Sequence, residues 1–212
     1  MAKRAAPEVN AGSMADIAFL LLIFFLVTTT IERDEGILVS LPPDEDTQIE
    51  EPPKIKERNL FTILLNRHDQ LLVEEQEINI DQLRDKAIAF LDNGGATNSS
   101  GESCTYCKGK ADPNSSDHPD KAIISLTNDR ETTYGIYIDV QNEVRAAYNF
   151  LREREAKRLY GKDYPDAELV FKAMLEEKAL LKPEETNEKL DEKIKTIKKL
   201  FPIKFSEAEP RE

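Results

Sequence analysis

Two cysteines in 212 residues leave no room for a disulfide scaffold or a closed four-cysteine zinc site. Positive charge is also short, with 29 Lys and Arg against 41 Asp and Glu, a net charge of −12. Neutralising phosphate needs clustered cations, and a field of this sign argues against a nucleic-acid partner. The chain has no glycine-rich phosphate loop, nucleophile elbow or His-rich metal signature. No hydrolase, kinase or synthetase chemistry is in view, so the expectation is a protein that is not an enzyme, binds no metal and needs no cofactor.

Long apolar runs are missing too, with one exception. From Met14 to Ile31 the sequence reads MADIAFLLLIFFLVTTTI, with a single charge. As a helix those residues reach about 27 Å, close to the hydrocarbon thickness of a bilayer. A secretory signal would lack a carboxylate and end in small residues. This run instead ends in Thr28, Thr29, Thr30 and Ile31 with no cleavage-site pattern, so a retained membrane span is expected. Lys3 and Arg4 precede it while Glu32, Asp34 and Glu35 follow, which places the N-terminus in the cytoplasm. The whole net charge then lies beyond the span, in the exported part, which in a bacterial cell is the periplasm.

The one charge in the run is Asp16. A carboxylate in a spanning helix costs about 2.5–3.5 kcal/mol on insertion scales and calls for a protein partner or a water path. Desolvation brings its protonated and charged forms closer in energy, so such a group can load and release a proton. The gradient is strong enough to drive this, at about 2.3 kcal/mol per charge per 100 mV. The plainer reading, Asp16 at the interface one turn from the cytoplasmic end near Asn10 and Ser13, stays open on the residues alone.

Residues 32–58 carry Pro42, Pro43, Pro52, Pro53 and many acids, the composition of an extended, solvated linker. Within it Gly36 to Leu41 (GILVSL) is a short apolar run that would serve as an ordinary strand or add to another protein's sheet edge. Asn59 to Leu65 and Gln70 to Glu74 read as two strands joined by the turn Asn66-Arg67-His68-Asp69, with His68 solvated. Ile80, Leu83, Ala87 and Leu91 fall at helical spacing after a cap at Asn79 or Asp81. Lys121 to Leu126 reads as a strand. Val140, Val144, Ala147, Tyr148 and Leu151 share one face of a long helix, and Leu190, Ile194 and Ile197 one stripe of a last helix. Phe201 to Phe205 alternates as a closing strand would, with Pro202 at its start or at a sheet edge.

Asn10 to Val27 (NAGSMADIAFLLLIFFLV) resembles the transmembrane segment of the ExbD/TolR proteins. The resemblance continues in the pair Leu41-Pro42, in the hairpin-then-helix order, and in the strand, Asp129, Tyr134 and long helix further on. It implies that Asp16 is the proton-carrying aspartate. It also implies that the chain, as a homodimer, sits within a ring of a multi-span ExbB/TolQ-like partner. Motion would then pass to a TonB-like or TolA-like protein, energising transport across the outer membrane or maintaining the envelope. It favours a partner-binding role around Leu41 and Pro42. A passive membrane-anchored binding module, with Asp16 incidental, is the alternative from another class.

The expected architecture is α+β. A cytoplasmic tail (1–13), a transmembrane helix (14–31) and the linker (32–58) lead to a periplasmic domain (59–206), a β-sheet packed against helices with a flexible insert at 93–119, and then a tail (207–212). Two features depart from the family pattern, the Gly/Asn/Ser-rich insert and the long, charged segment from 152 to 200. In an oxidising periplasm Cys104 and Cys107, inside the insert, would close a local disulfide. A redox site, or zinc shared with His118 and a fourth ligand such as Asp117, are the competing readings. A redox enzyme resting on this pair is a third class of reading; under the motor reading, replacing both cysteines with serine would be silent.

Overall fold

A computed structural model describes residues 11–28, 55–181 and 187–211. The chain divides into two compact units, Met1–Glu51 and Pro52–Glu212. In the first, helix α1 runs Ala11–Thr28. Among the described residues no helix is long and apolar enough to cross a membrane. The candidate span ends at Ile31, three residues past the last described residue of α1, and the linker, including the 36–41 run, lies outside the described residues.

The second unit is α+β. After a 3-10 turn at Glu57–Asn59 come β1 (Leu60–Leu65), β2 (Leu71–Val73), β3 (Gln76–Ile78), α2 (Ile80–Leu91), β4 (Ile123–Asp129), α3 (Tyr134–Tyr160), α4 (Val170–Leu180), α5 (Glu188–Leu200) and β5 (Phe205–Arg211). The five strands lie in the order β3-β2-β1-β4-β5. β1 pairs antiparallel with β2 and parallel with β4, and β5 runs parallel to β4 at the edge.

Alternation decides which face of the sheet is covered. Phe61, Ile63 and Leu65 of β1 and Leu71 and Val73 of β2 are buried, while Leu60, Thr62, Leu64 and Leu72 point to the other side. Helices α2 and α3 lay Leu83, Ala87, Phe90, Val140, Val144, Ala147, Tyr148 and Leu151 into the same core. Each of the Leu, Ile, Val and Phe side chains contributes on the order of 1.5–3 kcal/mol by leaving water. Asn66 builds the β1–β2 turn, its Oδ1 accepting from the backbone N–H of His68 and of Gln70, both at 2.9 Å. His68 is exposed, as the turn reading expected.

Strand β3 has no counterpart in the sequence reading. The two-residue turn before it places Glu74 and Glu75 at φ 49° and 66°, both left-handed. Such a turn normally recruits Asn-Gly, and a Glu in that region costs about 1–2 kcal/mol. Relieving it should stabilise the fold, so Glu75→Gly is expected to raise the unfolding free energy by about 0.5–1 kcal/mol after the entropy cost of glycine. Chemical denaturation of the two proteins, compared at equal m-value, checks this.

A second core lies under the far half of α3. Ala156, Val170, Phe171, Met174, Leu190, Ile194 and Ile197 cluster there, joining α3 to α4 and α5. The Leu190-Ile194-Ile197 stripe of α5 is buried as its spacing indicated, but α4 was not foreseen.

The closing strand also lies elsewhere than expected. Residues 201–204 are not in the sheet, because the Phe201 carbonyl is taken by Arg152, whose Nη2 and Nε donate at 2.6 and 3.0 Å. Pairing begins at Phe205 and runs to Arg211, so most of the segment read as a tail (207–212) is strand. The register shifts between Thr127 and Asp129, opposite Pro210, which has no N–H to give the ladder and is tolerated at an irregularity on an edge.

Candidate functional site

Asp16 lies in the second turn of α1, about 8 Å along the axis from Ala11. Its side chain is exposed, and no other acid or base occurs between Val9 and Ile31. Around it the helix has no polar face. Met14, Ile17, Phe19, Leu20, Leu21, Leu22, Phe24 and Phe25 are each more than half exposed. A helix apolar on every side is unsuited to water and suits a lipid or protein surround. The arrangement is one carboxylate on an apolar rod, with no Lys or Arg on the same helix. Leu41 and Pro42 lie outside the described residues.

In the Pro52–Glu212 unit the structure joins Cys104 to Cys107 in a disulfide, with Cα atoms 5.6 Å apart. Sulfurs bonded to each other are not available as zinc thiolates, and the two other residues of the zinc reading are engaged elsewhere. His118 Nδ1 accepts the Asp120 N–H at 3.0 Å. Burial, together with Lys121, holds its pKa below the ordinary histidine value, against the opposing pull of Asp120 and Glu102. Among the described residues no group of three or more His, Cys, Asp or Glu could hold a metal ion.

Asp117 is instead the centre of a buried clasp. Its side chain is 2% exposed, with Oδ1 2.6 Å from Arg58 Nη2 though not in a well-aligned hydrogen bond, and Oδ2 3.4 Å from Lys56 Nζ. Asn59 donates to Oδ2 at 3.2 Å and accepts the Asp117 N–H at 2.8 Å. Burial pushes the Asp117 carboxyl up, but the Asn59 hydrogen bond and the charges of Arg58 and Lys56 together outweigh it and hold the pKa below the ordinary value. This links the start of the folded domain, residues 56–59, to the 93–119 segment. Sequence reasoning missed it because Arg58 and Asp117 stand in charged, polar stretches that read as solvated.

The 93–119 segment is tied down at other points as well. Asn93 donates to the carbonyls of Asp112 and Ser116 and accepts from the Asp112 N–H. The Gly109 N–H donates to the Asp92 carbonyl at 2.9 Å. A Cβ on Gly109 would lie 2.5 Å from that carbonyl oxygen and 2.6 Å from the Asn93 Cα. Backbone cannot step aside cheaply, so Gly109→Ala is expected to cost about 1–3 kcal/mol, read as a lowered denaturation midpoint.

Comparison with known proteins decides the affiliation: the family model described as biopolymer transport protein ExbD/TolR matches residues 2–151. The chain belongs to the ExbD/TolR family. No curated protein matches it. The ExbD/TolR match takes in α1 with Asp16, the strands β1 to β4, α2 and α3 as far as Leu151. The end of α3, α4, α5 and β5 lie beyond it, so the second core and the edge strand are additions to what the ExbD/TolR model describes.

Proposed function

We propose that the chain is a proton-motive-force transducing subunit of an ExbB/ExbD-like inner-membrane motor that energises TonB-dependent transport across the outer membrane. One observation carries the reading. In a chain of the ExbD/TolR family, a single carboxylate, Asp16, stands on a helix whose apolar side chains face outward on every side. Residues 14–31 span the inner membrane with residues 1–13 in the cytoplasm and the folded domain in the periplasm, an orientation supported by Lys3 and Arg4 before them and Glu32, Asp34 and Glu35 after them.

Asp16 takes a proton from the energised side and gives it up on the other, and each charge moved is worth about 2.3 kcal/mol per 100 mV. One helix cannot enclose such a path. A multi-span ExbB/TolQ-like ring supplies the remaining polar groups, two copies of this chain sit within it, and a TonB-like or TolA-like protein receives the motion. The chain therefore transduces energy and catalyses no covalent chemistry. A TolR-like role in envelope maintenance uses the same residues.

The test is isolation of the full chain in mild detergent with identification of what accompanies it. A stoichiometric multi-span membrane protein is expected, and a TonB-like or TolA-like companion would distinguish the two roles. Recovery of the chain with no multi-span protein, under extraction that keeps other membrane complexes whole, would sink the reading.

A further inference from the structure

The residues between the two cysteines reach out of the 93–119 segment to the part of the chain beyond the family match. Tyr106 donates its hydroxyl to the Leu200 carbonyl at 2.9 Å, at the last turn of α5. Its ring meets Phe201 edge to face at 5.4 Å between centroids, and His118 at 5.9 Å on another side. Phe201 is fully buried and leads directly into β5. The Tyr106 carbonyl accepts from Arg154 Nη2 at 3.1 Å, and Arg154 in turn holds Asp92 through two bonds of 2.6 and 2.7 Å. Tyr106 therefore pins the α5–β5 junction to α2 and α3.

The disulfide fixes Tyr106 in place. It closes a four-residue ring in which the Cys107 N–H donates to Cys104 Sγ at 3.0 Å. Gly94, at φ +63°, lets Cys107 approach so closely that a Cβ there would come within 2.7 Å of the Cys107 Cβ. Neither cysteine is fully buried, so neither is sealed off from solution. A ring this short contributes little to global stability, because the entropy removed grows with loop length. Its effect is local, in holding Tyr106 against Leu200 and Phe201.

We propose that Cys104–Cys107 is a thiol–disulfide exchange site whose oxidised form locks the α5–β5 junction onto the family core through Tyr106. The pair is the substrate of a dithiol reductant and not a redox enzyme, since no strand leads into it and no helix starts from it. One reductant thiolate attacks a cysteine sulfur, forming a mixed disulfide and releasing the other cysteine as a thiolate. The reductant's second thiolate then displaces the first cysteine and leaves as a disulfide. Two electrons pass to the pair, and protons from the reductant's thiols or from water complete the two cysteine thiols. With the ring open, Tyr106 gains conformational freedom, its hold on Leu200 weakens, and β5, an edge strand paired on one side only, opens more often. This inference does not depend on the motor reading.

Hydrogen exchange of the full chain in detergent, oxidised or treated with dithiothreitol, tests it. Reduction should speed amide exchange in α5 and β5 about tenfold, leave β1 and β2 unchanged, and reverse on reoxidation; the double variant Cys104→Ser/Cys107→Ser should match the reduced protein. In Tyr106→Ala the response to reductant should fall below twofold. The proposal is overturned if alkylation finds no free thiols after treatment, if exchange is the same in both redox states, or if β1 and β2 accelerate equally. It is also overturned if Tyr106→Ala keeps the tenfold response.

Discussion

Asp16→Asn is expected to abolish receptor-driven uptake across the outer membrane while leaving the amount of protein and its association with a multi-span partner unchanged. Asparagine matches aspartate in size and keeps one carbonyl oxygen, so helix packing around position 16 is preserved. What it loses is the proton. An amide cannot cycle between neutral and charged forms, and the membrane potential has no charge at that point on which to act. Insertion should not become harder, because an uncharged amide is no more costly in the bilayer than a carboxylate. Measured uptake of an outer-membrane receptor's substrate, in cells carrying only the variant, should fall to the level of cells lacking the gene. Envelope leakage with intact uptake would identify the TolR-like role instead, and wild-type behaviour in both assays would make Asp16 incidental.

Loss of Asp117 should have the largest effect on stability. Asp117→Ala removes the acceptor shared by Arg58, Lys56 and Asn59. Breaking a buried ion pair by deleting one partner costs about 3–5 kcal/mol. The lower end applies here, about 3 kcal/mol, because Lys56 is 61% and Arg58 33% exposed and both can turn to water. The Asn59 amide, 4% exposed, has no such escape. Denaturant unfolding should show the loss.

The effect should depend on acidity. The Asp117 carboxyl is held below its ordinary value in the folded chain, so it binds its proton more readily when unfolded. Its contribution is complete above the unfolded carboxylate range, near pH 4, and is lost as the pH falls through the lower folded value. The stability gap between wild type and Asp117→Ala should therefore narrow below about pH 4; a gap independent of acidity would show that packing and not charge accounts for it.

Much of the domain was legible because its burial repeats with the period of the backbone. β1 alternates, and α3 and α5 return an apolar residue every third or fourth position, so Ile63, Val144 and Ile194 declare their faces whatever they pack against. β3 gave no such signal. Gln76 and Glu77 are polar, and the turn before it is made of two glutamates instead of Asn-Gly, so it is held by pairing with β2 and not by its own preference. β5 was misplaced for a related reason. The apolar alternation of Phe201, Ile203 and Phe205 promises a strand, but the Arg152 guanidinium claims the Phe201 carbonyl and pushes the start of pairing to Phe205.

Position 16 was singled out by the sequence alone, because one charge in an eighteen-residue apolar run is conspicuous in one dimension. The same is true of the strand and helix faces that make the main core, and of the cysteine pair, whose members are neighbours along the chain. The Asp117 clasp, the reach of Tyr106 to Leu200 and the second core under α3 were decided only by tertiary structure. Asn59 and Asp117 are 58 residues apart and Tyr106 is 94 residues from the carbonyl it meets. Charge and hydroxyl groups carry no periodic mark of burial, and which of them leave water is settled by the partners that folding brings to them.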